Sequence, residues 1–174
     1  GTCEIAKEKY TYFGLDDCTM AMQLAGAGAK SCTYGCLGLG SCKKVCAFGA
    51  IEIVDGIAVI DKDKCVSCGK CVSTCPKHII ELLPVKKKVK VQCSSKDIGR
   101  NVNQVCSAGC IACKICEKNC PFDAIHVVDN LAVIDYDKCK ACGICANKCP
   151  KGVLTGKKPA PPKTDAPKAA EKSE

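Results

Sequence analysis

The feature that most constrains this chain is a run of four cysteines in eleven residues that recurs with one spacing. Cys65, Cys68, Cys71 and Cys75, closed by Pro76, read C-x2-C-x2-C-x3-C-P. Cys110, Cys113, Cys116, Cys120 and Pro121 repeat the pattern, as do Cys139, Cys142, Cys145, Cys149 and Pro150. These runs sit inside a larger duplication. AIEIVDGIAVIDKDKC, from Ala50 to Cys65, returns as AIHVVDNLAVIDYDKC from Ala124 to Cys139. The same offset of 74 residues holds without a gap from Cys32/Cys106 to Cys75/Cys149. One unit is therefore used twice, and self-similarity of this kind identifies the structural module.

Three chemistries compete for so many thiols. Twenty of the 174 residues are Cys, which by composition alone favours a secreted disulfide scaffold. No secretory signal opens the sequence, and no apolar run approaches the ~18 residues of a membrane helix. A zinc site calls for separated C-x2-C pairs rather than four cysteines in one short run. The run itself is the spacing that binds a cubane [4Fe–4S] cluster. Three thiolates curl round one cluster, and the fourth, before Pro, serves the cluster of the sister half. With no Trp and few aromatic residues, a module of about 50–60 residues is short of core and needs such a staple.

The crossing rule assigns the ligands. In the second module Cys110, Cys113, Cys116 and Cys149 hold one cluster, and Cys139, Cys142, Cys145 and Cys120 the other. In the first module Cys65, Cys68, Cys71 and Cys46 hold a cluster by the same rule. The remaining site is irregular. In CTYGCLGLGSCKKVCAF, Cys36, Cys42 and Cys46 align with Cys110, Cys116 and Cys120, but Leu39 stands where Cys113 stands and Ala47 replaces the Pro. Cys36, Cys42 and Cys75 are thus three ligands, and Cys32 is expected to supply the fourth through a glycine-rich loop. A three-iron or labile cluster on three thiolates is the alternative. Four cysteines are left over: Cys3, Cys18, Cys93 and Cys106. Twenty divides into five sets of four, so a fifth cluster on these competes with free buried thiols. The expected cofactors are four [4Fe–4S] clusters, one irregular, with the fifth as a further hypothesis.

The fold class that follows is α+β: two tandem bacterial-ferredoxin-like dicluster modules with small cores built round the clusters. The modules span 31–84 and 105–156. Each is read as two short strand pairs and two short helices. Alternating apolar residues flank Asp55-Gly56 and Asp129-Asn130, a strong hairpin signal. An N-terminal segment, 1–30, holds a helix from Asp17 to Leu24 capped by Asp16 or Asp17. A basic linker, 85–104, contains KKKVKV and reads as an edge strand with a solvated loop, or alternatively as a docking patch for an acidic partner. The tail, 157–174, rich in Lys, Pro and Ala, lacks the apolar content to fold.

The formal charge of +8 raises nucleic acid as a partner. An oxidised cubane with its four thiolates carries about −2, so four of them offset the excess. No aromatic interleaving supports base stacking, and no nucleic-acid partner is expected. His78 and His126 are not expected to be ligands, and the repeated D-x-D-K-C carboxylates (Asp61, Asp63, Asp135, Asp137) read as turn caps. No nucleophile, phosphate loop or dinucleotide fingerprint is present, so the chain is expected to relay electrons without a substrate-turnover site of its own.

The order of the blocks KYTYFGLDDC, CTYGCLGLGSCKKVCAFGAI and VQCSSKDIG…CSAGCIACKICEKNCPFDAI resembles the ferredoxin-rich part of the B subunit of clostridial-type Rnf electron-transport complexes. The membrane-anchoring helix and four-Cys cluster that precede this part in that family are not in the sequence, and a start at Gly1 suggests a processed or truncated chain. The resemblance implies a multi-cluster relay that takes electrons from reduced soluble ferredoxin. It would pass them to other subunits of an ion-translocating ferredoxin:NAD oxidoreductase, on the cytoplasmic side of the cell membrane. A free-standing soluble polyferredoxin is the alternative, and a structural zinc or disulfide protein a third.

Overall fold

The computed structural model describes residues 2, 4–23, 27–86 and 88–156. Ten short elements follow in the order α1 (Cys18–Gln23), α2 (Ser41–Lys44), β1 (Ile51–Val54), β2 (Ile57–Ile60), α3 (Lys70–Thr74), α4 (Gly99–Val105), α5 (Ile115–Lys118), β3 (Ile125–Val128), β4 (Leu131–Ile134) and α6 (Ile144–Lys148). The fold is α+β, and the 74-residue repeat is visible in it. The set α2–β1–β2–α3 returns as α5–β3–β4–α6 with the same lengths.

Each hairpin closes where the turn chemistry permits. Val54 pairs with Ile57 and Val128 with Leu131, leaving two-residue loops. Those loops need positive φ at both positions. Asp55 and Gly56 supply it at 48° and 71°, Asp129 and Asn130 at 48° and 61°. Alternation then turns Ile51 and Ile125 into the interior and leaves Val59 and Val133 half exposed.

Among the described residues each module has one strand pair where two were expected. In the second module the other pair is reduced to a single antiparallel bridge, Val91 to Leu154, flanked by bonds from Gln92 N–H to Val153 O (2.8 Å) and Thr155 N–H to Lys90 O (2.9 Å). The basic segment therefore does more than link. Its Val89 is buried with Ile125, Ala132, Ala146, Val153 and Leu154 in one contiguous core, which also takes in Cys110, Cys116 and Cys145. In the first module Leu15, 74 residues before Val89, is largely exposed. There the chain forms helix α1 instead of a paired strand.

Helix α1 is capped by Asp17, whose Oδ1 accepts from the N–H of Thr19 (2.8 Å) and Met20 (2.9 Å). These bonds hold the Asp17 carboxyl below its usual pKa. The expected Leu24 end lies outside the described residues.

Candidate iron–sulfur sites

The cluster-binding loops share one backbone. In each run the second and fourth residues after the first Cys are left-handed. They are Ser67 and Gly69 (57°, 77°), Ala112 and Lys114 (55°, 58°), and Ala141 and Gly143 (53°, 77°). The irregular loop does the same with Gly38 and Gly40 (78°, 77°). Successive residues in this alternation turn the chain round a central point, which explains why thiols spaced by three can face inward together. The third Cys of each run then opens a short helix: Cys42 in α2, Cys71 in α3, Cys116 in α5 and Cys145 in α6.

The thiols gather in crossed sets. One apolar cavity is lined by Cys110, Cys113, Cys116 and, from the far run, Cys149. A second is lined by Cys139, Cys142, Cys145 and Cys120. A third, in the first module, is lined by Cys65, Cys68, Cys71 and Cys46. Electrostatics report the same neighbourhoods. Burial first, and then the neighbouring thiols Cys110, Cys113 and Cys149, push the Cys116 thiol up to about 11. Cys145 is raised by burial and then by Cys142, Cys120 and Cys139, and Cys71 by burial and then by Cys65 and Cys68.

The irregular site brings together a different set from the one expected. Burial first, and then the thiols Cys36, Cys18 and Cys75, raise Cys42 to about 11. Cys18, Cys36, Cys42 and Cys75 line one wide cleft together with Cys93, and Cys32 is not among its walls. Cys32 lies instead beside Lys77, whose ammonium bonds to the carbonyl oxygens of Ala27 (2.8 Å) and Thr33. The same bond recurs 74 residues on, from Lys151 Nζ to Ser107 O (3.1 Å). The Lys of each Cys-Pro-Lys thus ties the end of its module to the residue after Cys32 or Cys106. Sequence reasoning did not bring Cys18 to this site. The signal was present in Ser41, a hydroxyl where the other module has Ile115.

Of the leftover cysteines, Cys3 lies outside the described residues. Cys93 accepts a hydrogen bond from the Cys110 N–H (3.4 Å), and Cys106 is buried where the N-terminal segment pairs with it through Ala6. His126 sits between Glu117 (3.7 Å) and Asp123 (3.5 Å). Asp61 and Asp135 each accept two backbone N–H bonds from the residues that follow, as turn caps do.

The donor chemistry fits cubane clusters. None of the nineteen described cysteines is paired in a disulfide. Among the described residues no three His, Cys, Asp or Glu side chains converge closely enough to hold a single metal ion. What remains is four wider nests of thiols. Amide bonds to sulfur, such as Ala124 N–H to Cys120 Sγ (3.3 Å), belong to the devices that tune a cluster's potential.

Comparison with known proteins agrees. Residues 109–159 match the family described as 4Fe-4S dicluster domain, and residues 58–81 match the 4Fe-4S binding domain. A ferredoxin-like protein of the vnf region of Azotobacter chroococcum is 39% identical over 62 residues, covering 33% of this chain and 85% of that protein. This chain belongs to the 4Fe-4S ferredoxin family. It is also homologous, over most of its length, to the B subunits of ion-translocating oxidoreductase complexes. The B subunit of the Na(+)-translocating ferredoxin:NAD(+) oxidoreductase complex of Acetobacterium woodii is 50% identical over 157 residues, 90% of this chain and 47% of that protein. The B subunit of the proton-translocating ferredoxin:NAD(+) oxidoreductase complex of Clostridium ljungdahlii is 47% identical over 140 residues, 80% of this chain and 49% of that protein. The chain spans about half the length of these relatives. Among its described residues no helix is long and apolar enough to cross a membrane.

Proposed function

We propose that this iron–sulfur protein relays electrons inside an ion-translocating ferredoxin:NAD oxidoreductase complex, as the electron-accepting part of its B subunit. Reduced soluble ferredoxin is the donor and other subunits of the complex are the acceptors, on the cytoplasmic face of the membrane. The observation that carries this reading is the 50% identity over 90% of the chain to such a B subunit, in a chain whose thiols gather in crossed nests.

Four [4Fe–4S] clusters are proposed. Three have the ligand sets Cys110/Cys113/Cys116/Cys149, Cys120/Cys139/Cys142/Cys145 and Cys46/Cys65/Cys68/Cys71. The fourth is built on Cys36, Cys42 and Cys75. The clusters supply one-electron chemistry; the chain spaces them, buries them and excludes water. Cys68 and Cys113 are exposed, so two clusters have edges that a partner can approach, one in each module.

Anaerobic reconstitution should load about sixteen irons and sulfides per chain, with interacting reduced-cubane signals in low-temperature EPR after dithionite. About twenty irons would instead support a fifth cluster on Cys3, Cys18, Cys93 and Cys106. Capture of the native chain from its source should recover membrane subunits. Recovery as a free monomer that still oxidises and reduces ferredoxin would favour a mobile polyferredoxin and sink the relay-subunit reading.

A further inference from the structure

We propose that Cys18, carried on helix α1 outside the repeated module, is the fourth ligand of the cluster held by Cys36, Cys42 and Cys75. The inference rests on the iron–sulfur reading above and assigns a residue that the repeat could not predict.

The first ground is the loop. Residues 36–42 keep the left-handed alternation of the three regular runs, at Gly38 and Gly40, so the backbone wraps as though round a cubane. It nevertheless presents Leu39 where the second module presents Cys113. Three thiols line a site whose three sisters have four.

The second ground is the docking of α1. Ser41, next to Cys42 and only 5% exposed, accepts the Cys18 N–H at 2.7 Å and donates to Asp17 Oδ2 at 3.2 Å. Lys44 Nζ bonds to the Asp16 carbonyl on the same face. The 74-residue equivalent of Ser41 is Ile115, which lies at the surface and can make neither bond. Where the loop loses a thiol at 39, it gains two positions on a hydroxyl anchor that pins the helix bearing another. Cys18 is buried and shares the cleft with Cys36, Cys42 and Cys75; Cys93 also lines this wide cleft, but its sulfur accepts the Cys110 N–H of the second module.

The third ground removes the competitor. The surroundings of Cys32 repeat those of Cys106. A Cβ on Gly35 would meet the Cys32 Sγ at 3.8 Å, and one on Gly109 would meet the Cys106 Sγ at 3.7 Å. Lys77 and Lys151 bond to the carbonyl that follows each of them. Cys106 belongs to a module whose thiol nests already have four members each without it. A role shared by Cys32 and Cys106 is therefore not completion of a quartet.

The test is ligand loss and rescue in the full chain, reconstituted anaerobically and read by iron and sulfide content and by EPR. Cys18→Ala should lose about four irons, or about one if a three-iron cluster persists with its oxidised-state EPR signal. Adding Leu39→Cys to Cys18→Ala should restore the lost iron, because loop 36–42 already has the backbone that aims Cys113. Full iron in Cys18→Ala overturns the assignment. So does a loss that Leu39→Cys fails to rescue, since that marks a purely structural role. A loss in Cys32→Ala that Leu39→Cys rescues, with Cys18→Ala silent, overturns it in favour of Cys32. A wild-type chain that binds no iron overturns the cluster reading itself and is distinguished from all of these.

Discussion

The third Cys of every run carries the largest burden of desolvation. Cys42 and Cys116 are pushed up to about 11, and Cys71 and Cys145 are raised as well, each first by burial and then by neighbouring thiols. In a cluster-free chain these groups are neutral, and only iron makes their ionisation favourable. Crossing of the fourth ligands gives a direct prediction. Cys149→Ala should empty the site of Cys116, not that of its own run, with a loss of about four irons. Adding Cys116→Ala should cost no further iron, whereas adding Cys145→Ala should double the loss; iron analysis of the two double variants checks this. Gly38 makes a second prediction. Its φ is 78°, and a Cβ there would lie 2.5 Å from the Gly56 carbonyl oxygen of the β1–β2 turn. Gly38→Val should therefore displace the irregular loop. It should remove the fourth cluster's EPR signal while about twelve irons are retained.

At the scale of elements, burial decides which copies of a residue matter. Ile125 is 2% exposed and belongs to the core with Val89 and Leu154, while Val133 on the opposite face of the hairpin is 48% exposed. Ile125→Ala should destabilise by about 3 kcal/mol and Val133→Ala by less than about 0.5 kcal/mol, read as the denaturant midpoint for loss of cluster absorbance. The turn before Cys139 adds a pH dependence. Asp135 is held below its ordinary 3.8 by the N–H groups of Asp137 and Lys138. A carboxylate with a depressed folded pKa contributes stability above the unfolded value, and that contribution is lost as pH falls through the folded one. Asp135→Asn should bleach faster than wild type above the ordinary carboxylate pKa, and the two should converge as pH falls through the depressed folded value; stopped-flow absorbance across the acid range checks it. The hairpins and their turns were legible in the sequence, because turn chemistry is local, whereas the short element expected to start at each Cys-Pro-Lys lies instead before it, at Lys70–Thr74 and Ile144–Lys148. Burial of Val89, the lost second strand pair and the approach of Cys18 were not legible. Each depends on what a segment outside the repeat packs against, and the 74-residue offset says nothing about residues it does not duplicate.

For the whole molecule, the decisive question is what fixes one module against the other, since a relay depends on the spacing of its clusters. The N-terminal segment runs between the two module starts. Lys7 donates its N–H to Val105 O (3.0 Å) and accepts from Ser31 N–H (2.7 Å). Ala6 bridges Cys106 and Glu8 bridges Lys30, with Lys9 N–H on Ala29 O (2.7 Å) and Ser107 N–H on Ile5 O (3.2 Å). Ala6 is 1% exposed, so this strap is packed as well as bonded. Its partners immediately precede Cys32 in one module and surround Cys106 in the other, which makes residues 5–9 a two-sided splint. Proline at position 7 removes the donor to Val105 without touching any thiol in a crossed nest. Lys7→Pro should therefore retain its full iron content. It should nevertheless broaden the distribution of inter-module distances, seen as weakened spin–spin interaction between clusters of different modules and a larger radius of gyration. Lys7→Ala, which keeps the backbone N–H, should match wild type in both readouts. Equal behaviour of Lys7→Pro and Lys7→Ala would show that the modules are held together elsewhere, across the cleft between the β1–β2 and β3–β4 hairpins.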